Sequence, residues 1–176
     1  KQSMMTDIAS FRSEVILQWV AVACYIVATV LFTHGVFFVN GKSFRRAMIV
    51  AAAGLLPHSV ALVVRWIEQG HGPYMSRYEV LSSDAWIGIV MFVVTAGRLE
   101  KIRSLGMVVM PVSFLLIAFG LMTDPEMHNL PPSLRSVWLI MHVSFAKLAA
   151  GSIVMSLGAA ILFLLKEHGS SGPRYS

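Results

Sequence analysis

The sequence has 176 residues, of which 56% are hydrophobic and 13% charged, and its mean hydropathy is +0.71. Soluble domains carry about 25% charged residues, so this chain cannot cover itself with a polar surface and is predicted to be an integral membrane protein. The formal net charge of +5 does not indicate a nucleic-acid partner, because the basic residues lie in short connectors between apolar runs. Cys24 is the single cysteine, which excludes disulfides within the chain and cysteine-based metal sites.

Five apolar stretches are each long enough to cross a bilayer. A hydrocarbon core about 30 Å thick requires roughly 20 apolar residues in a helix that rises 1.5 Å per residue. Because a spanning segment must satisfy its own backbone hydrogen bonds, each stretch is predicted to be a helix. The sequence therefore predicts an all-α transmembrane domain over residues 1–166 and a flexible tail over 167–176. The predicted spans are residues 15–39, 46–66, 80–97, 105–122 and 136–165.

The charges of the connectors predict the orientation of these spans. Residues 40–46 and 98–104 each contain three basic side chains, the second set against one acidic side chain. Residues 65–79 are balanced, and residues 123–135 contain Asp124 and Glu126 against Arg135. Basic connectors stay on the cytoplasmic side, so the N-terminus is predicted outside and the C-terminus inside.

A short polar loop, R-W-I-E-Q-G-H-G-P-Y-M-S-R-Y-E over residues 65–79, joins the second and third predicted spans on the outer side. Gly70 and Gly72 permit a tight chain reversal, and Pro73 stiffens it. Such a loop in an apolar chain indicates either a recognition surface or a compact interfacial turn anchored by aromatic rings. The flat or titratable side chains that it offers are Trp66, His71, Tyr74 and Tyr78.

The four tryptophans are all predicted to lie near the outer interface. Aromatic belts usually occupy both interfaces, so this one-sided distribution indicates either an outer belt or an aromatic-lined feature on the outer face. The residues are Trp19, Trp66, Trp86 and Trp138.

His142 lies about one turn inside the fifth span. Small residues follow it at i+4, i+7 and i+8, namely Ala146, Ala149 and Ala150, and they would let a neighbouring helix or a flat macrocycle come close. A neutral imidazole is a common axial ligand of haem iron. The alternative is a histidine that is hydrogen-bonded across a helix interface.

His58 lies deep in the second span, and Arg65 follows seven residues later on the same helix face, near the outer surface. Arginine pairs with carboxylates through two hydrogen bonds, so this pair would suit a haem whose propionates point outward. The alternative for His58 is a polar residue in a helix kink beside Pro57.

Two further charged residues, Lys147 and Asp84, lie within predicted spans. The sequence alone does not decide whether they form an ion pair.

The order of these features resembles a known family. Arg65-Trp66, then G-H-G-P over residues 70–73, then Tyr78-Glu79, is similar to the CcsA/ResC branch of the cytochrome c assembly family, where R-W precedes G-H-x-P and N-x-Y-E. This chain has Ser76-Arg77 in place of the family's Asn-x. His142-Val143 resembles the family's first external haem-ligand histidine. The resemblance covers about residues 15–166 and matches the N-terminal part, since no W-G-x-x-W-x-W-D segment is present.

The resemblance implies a haem-handling membrane component that presents or transports haem at the outer face for attachment to apocytochrome c. It implies non-covalently bound b-type haem, lipid, a CcsB/ResB-like subunit and apocytochrome c as partners, and the bacterial inner membrane or an organellar equivalent as location. No catalytic motif lies within the chain, so membership of a haem-lyase system stays open. The expected haem contacts are His142, His58, Arg65, Trp66, His71, Trp86 and Trp138, with His142 and His58 as iron ligands.

Two other functions stay open at this stage. A membrane-anchor subunit of a respiratory complex could bind b-type haem or quinol through His58 and His142. A regulator similar to HemX-type proteins would share the membrane architecture without assembling cytochromes.

Overall fold

The computed structural model describes residues 2–123 and 136–170, with side chains over 12–123 and 136–167. The described residues form five α-helices and one short 3₁₀ helix, without strands. All five helices are long and apolar enough to cross a membrane, which confirms the predicted all-α bundle of five spans. Orientation across the membrane stays a prediction, and connector residues 124–135 lie outside the described part. The helices are α1 (Gln2–Phe37), α2 (Gly41–Gln69), α3 (Arg77–Arg98), α4 (Gly106–Leu121, after the 3₁₀ helix Glu100–Leu105) and α5 (Val137–Ser170).

The loop between α2 and α3 is bounded by two local stop and start signals. Gly70 ends α2 with φ +68°, a left-handed conformation that glycine adopts without a side-chain clash, and its N–H donates to the Trp66 carbonyl at 3.0 Å. Ser76 begins α3 with a capping box, in which the Glu79 N–H donates to the Ser76 hydroxyl and the Ser76 N–H donates to the Glu79 carboxylate. These two devices define residues 70–76 as a compact loop. We call the end of the bundle that carries it the loop end.

The first four helices form the packed body of the bundle. α1 runs along α2 and also packs on α4, while α3 packs on α4 and α2. Buried aromatic side chains such as Tyr25, Phe32 and Phe92 fill the centre, and alanines such as Ala47 and Ala51 let the helices approach closely.

The fifth helix is the least embedded of the five. α5 leans mainly on α3 and α4. It approaches α3 closely at Gly151, where an added Cβ would lie 3.3 Å from the Gly88 Cα. One turn towards the loop end, Lys147 of α5 pairs with Asp84 of α3. Because α5 rests on α3 rather than on α2, a space remains between α2 and α5 at the loop end.

Candidate functional site

The space between α2, the loop, α3 and α5 is a pocket of about 710 Å³. This volume lies within the range of about 300–1,000 Å³ typical of small-molecule and cofactor sites. The indole rings of Trp66 and Trp86 and the rings of His71 and Tyr74 line it. The pocket therefore combines flat aromatic surfaces with a size suited to a large planar ligand, and we call it the aromatic pocket.

Hydrogen bonds and a ring contact hold the loop beside this pocket. His71 is buried, and its Nδ1 donates to the Gly72 carbonyl oxygen at 2.8 Å in the neutral tautomer that places the proton there. The His71 and Tyr74 rings lie 5.7 Å apart. The Ser83 hydroxyl oxygen of α3 lies 3.0 Å from the Pro73 carbonyl oxygen and 2.5 Å from the Glu79 carbonyl oxygen of its own helix. The loop wall is thus positioned by α3 as well as by its own turn.

Arg65 faces the interior of the bundle rather than the pocket. It is 1% exposed, its Nε donates to Glu79 Oε1 at 3.0 Å, and its Nη1 lies 3.8 Å from Glu14 Oε2. Its guanidinium carbon is 5.4 Å from the Tyr78 ring centroid, and the Tyr78 hydroxyl donates to Glu14 at 2.6 Å. Sequence reasoning paired Arg65 with carboxylates of a ligand, whereas the structure pairs it with two carboxylates of the protein itself.

Glu79 extends this buried cluster to the loop. Its Oε2 accepts hydrogen bonds from the backbone N–H groups of Met75 and Ser76, at 2.9 and 3.3 Å. One carboxylate therefore binds the arginine of α2 and two amides of the loop. The cluster fixes the position of the loop relative to α1 and α2.

His58 is fully buried and hydrogen-bonded at both ring nitrogens. Nδ1 lies 3.2 Å from the Tyr25 hydroxyl, and Nε2 lies 3.1 Å from the Ser82 hydroxyl. Ser82 also accepts a hydrogen bond from Gln18 Nε2 at 2.8 Å. For His58 to coordinate iron, one of these hydrogen bonds would have to be given up.

The deep end of the aromatic pocket is polar. Lys147 Nζ donates to the Ser83 hydroxyl at 2.5 Å and to Asp84 Oδ1 at 2.8 Å, and the Lys147 side chain is only 11% exposed. Trp86 donates its indole N–H to the Ser59 hydroxyl at 2.8 Å, which joins α3 to α2. The Lys147–Asp84 pair, left open from sequence, is thus an interhelical ion pair that also places a cation in the pocket.

His142 and Trp138 lie on the other side of α5. The residues of α5 that line the pocket include Ile140, Val143 and Lys147, whereas His142 is exposed. At about 100° per residue, His142 is rotated by roughly 200° from Ile140 around the helix axis. Trp138 is 80% exposed and likewise does not line the pocket.

The seven candidate residues therefore separate into three places. Trp66, His71 and Trp86 meet in the aromatic pocket, Arg65 and His58 lie in the buried interior, and His142 and Trp138 are exposed on α5. Sequence reasoning missed the pocket hydroxyls of Ser59 and Ser83, for which no motif gives a signal. The carboxylate of Glu14 and the carboxamide of Gln18 lie four residues apart in an apolar helix, and this spacing is a sequence signal of polar contacts in the interior.

Comparison with known proteins gives consistent matches, although no family model matches the chain. The chain is 32% identical over 153 residues to the cytochrome c biogenesis protein CcsA of Nostoc punctiforme, a match that covers 81% of the chain and 43% of that protein. It is 31% identical over 171 residues to the CcsA of Gloeobacter violaceus, covering 91% of the chain and 48% of that protein. The chain spans about half the length of the curated relatives it matches.

Proposed function

This chain belongs to the CcsA family of cytochrome c biogenesis proteins, and we propose that it handles haem during cytochrome c maturation. With the orientation predicted from the connector charges, the loop end faces the outside of the membrane. Haem would be held there before its attachment to apocytochrome c. A CcsB/ResB-like subunit is the proposed membrane partner.

The aromatic pocket is the observation that carries this proposal. A porphyrin is a large, flat and mostly apolar body, and the indoles of Trp66 and Trp86 offer it flat apolar surface at the loop end. The imidazole of His71 in the loop wall adds a polar contact beside them. The volume of the pocket and its aromatic lining support this proposal.

His142 keeps a separate role in this proposal. Its exposed imidazole lies on the face of α5 that points away from the aromatic pocket. A haem whose iron is bound by His142 would therefore occupy a different position from a porphyrin in the pocket. The chain would then offer two haem positions, one on each side of α5.

The respiratory-subunit alternative gains less support from the arrangement. A b-type haem held by two histidines needs both imidazoles to face one cavity. His58 is hydrogen-bonded to Tyr25 and Ser82 in the interior, whereas His142 is exposed on the face of α5 that points away from the aromatic pocket. Haem handling at the loop end uses Trp66, His71 and Trp86, which line one pocket.

The proposal is tested by titrating the purified chain, in lipid nanodiscs, with haemin and following the Soret absorbance. We expect saturable binding that Trp66→Ala weakens by about tenfold, the equivalent of roughly 1.4 kcal/mol of lost ring contact. Trp19→Ala is the matched control, because Trp19 is 54% exposed, close to the 57% of Trp66, but does not line the pocket. Absence of saturable binding, or equal loss in both variants, would contradict the proposal.

A further inference from the structure

The aromatic pocket contains a cation that sequence reasoning did not assign to any ligand. Among the described residues that line the pocket, Lys147 is the only lysine or arginine, and no carboxylate lines it. Arg65, the arginine expected to meet a ligand carboxylate, is turned to the interior between Glu14 and Glu79. The fixed positive charge available to a ligand in the pocket is therefore that of Lys147.

The ammonium group of Lys147 is held at a defined depth. It lies ten residues into α5, about 15 Å along the helix from Val137. An ammonium has three N–H donors, and its acceptors within the described part of the chain are Ser83 and Asp84. Asp84 does not line the pocket, whereas Lys147 and its other acceptor, Ser83, both do.

One cation shared between two carboxylates already exists in this protein. Arg65 lies 3.0 Å from Glu79 and 3.8 Å from Glu14, with all three side chains almost completely buried. Lys147 has one carboxylate partner, Asp84, and a cavity where a second carboxylate could lie.

We infer that Lys147 is a specificity-determining residue, which binds a carboxylate of an amphiphile whose planar apolar body lies against Trp66 and Trp86. This inference deepens the proposed function and rests on it, since haem carries two propionate carboxylates. Lys147 selects ligands with a free acid group at the deep end of the pocket. A carboxylate there shares the ammonium with Asp84.

The test compares metal-free protoporphyrin IX with its dimethyl ester, so that iron ligation contributes nothing. Each is titrated into the purified chain in phosphatidylcholine nanodiscs, with empty discs as the correction for partition into lipid. We expect the free acid to bind about tenfold more tightly than the ester, the size of one charge-assisted contact. Lys147→Gln removes this preference, so that the free acid and the ester bind this variant with equal affinity. Lys166→Gln, an equal charge change at an exposed position outside the pocket, retains the preference.

Asp84→Asn distinguishes two roles of Lys147, which are binding the ligand and joining α5 to α3 through an ion pair. If Lys147 binds the ligand, removing its competing anion strengthens free-acid binding several-fold, opposite to the effect of Lys147→Gln. If the pair only joins α5 to α3, both variants weaken the acid and the ester equally, and the inference is overturned.

Other outcomes are equally decisive. Equal affinity of the unmodified chain for acid and ester overturns the role of Lys147 and leaves the porphyrin pocket intact. Failure to bind either porphyrin overturns the aromatic pocket as a porphyrin site, and this inference with it. Displacement of the free acid by a small mole fraction of phosphatidylglycerol, dependent on Lys147, assigns the site to a lipid phosphate and overturns the carboxylate.

Discussion

Arg65 of α2 and Glu79 of α3 form a buried ion pair, with 3.0 Å between Nε and Oε1 and each side chain only 2% exposed. The same glutamate binds the amides of Met75 and Ser76, so the pair connects the helix that precedes the loop with the loop itself. Removing one partner of a buried pair leaves an uncompensated charge, which makes such pairs costly to break.

Arg65→Met should therefore destabilise the chain strongly, by about 3–5 kcal/mol, because Glu14 and Glu79 lose their shared cation. The measurement is thermal unfolding in detergent, followed by helical circular dichroism. Arg98→Met, at an exposed position at the end of α3, is the control and should change the midpoint little. The double variant Arg65→Met with Glu79→Gln should recover part of the loss, and a strictly additive double loss would contradict a coupled pair.

Ser76→Ala should loosen the loop without unfolding the bundle. The variant removes the hydroxyl that accepts the Glu79 N–H, and loss of such a cap costs about 1 kcal/mol. Faster amide hydrogen exchange over residues 70–79 is the expected result. Ser152→Ala, on an exposed part of α5, should leave this exchange unchanged. Unaltered exchange in Ser76→Ala would show that the cap does not limit loop opening.

Gly151→Leu should push α5 away from α3 and widen the aromatic pocket. Even a Cβ at this position would lie 2.8 Å from the Met91 sulfur and 3.3 Å from the Gly88 Cα, so a branched side chain cannot fit. We expect a lower unfolding midpoint and haemin affinity reduced by about tenfold or more, because the α5 wall moves. Gly97→Leu is the control, since no atom lies within 4 Å of its added Cβ. Unchanged haemin affinity in Gly151→Leu would contradict the pocket's dependence on α5.

His142→Ala should leave the binding of metal-free protoporphyrin IX unchanged, because His142 is on the face of α5 opposite the pocket. The same variant should alter the haem absorbance spectrum if His142 ligates iron at its separate position. His71→Ala should show the opposite pattern, with weaker metal-free binding, since His71 lines the pocket. His34→Ala, another exposed histidine, is the control for both measurements. Weakened metal-free binding in His142→Ala would contradict the separation of the two positions.

Much of the architecture could be predicted because its causes are local. Helix formation in lipid depends on runs of apolar residues, and the loop between α2 and α3 depends on Gly70 and on the Ser76 and Glu79 pair three residues apart. These signals lie within a few residues of where they act. The five spans and the compact loop follow from them.

The site depended on contacts that are far apart in sequence. Helical spacing placed His58 and Arg65 on one face of α2, with Arg65 near the outer surface. In the structure both are buried, and the spacing did not show that Glu14 and Glu79 neutralise Arg65 there. It grouped His142 with the outer aromatic residues, although the side of α5 that meets α3 turns His142 away from Trp66 and Trp86.

The sequence by itself thus determined a five-helix membrane protein with an aromatic loop, because hydropathy, connector composition and turn chemistry are properties of short segments. Only the tertiary structure decided which cation enters the pocket. Lys147 is 63 residues from Asp84 and takes its place through the Gly88–Gly151 crossing of α3 and α5. Pairing across such distances depends on how helices pack, and helix periodicity carries no information about which faces meet.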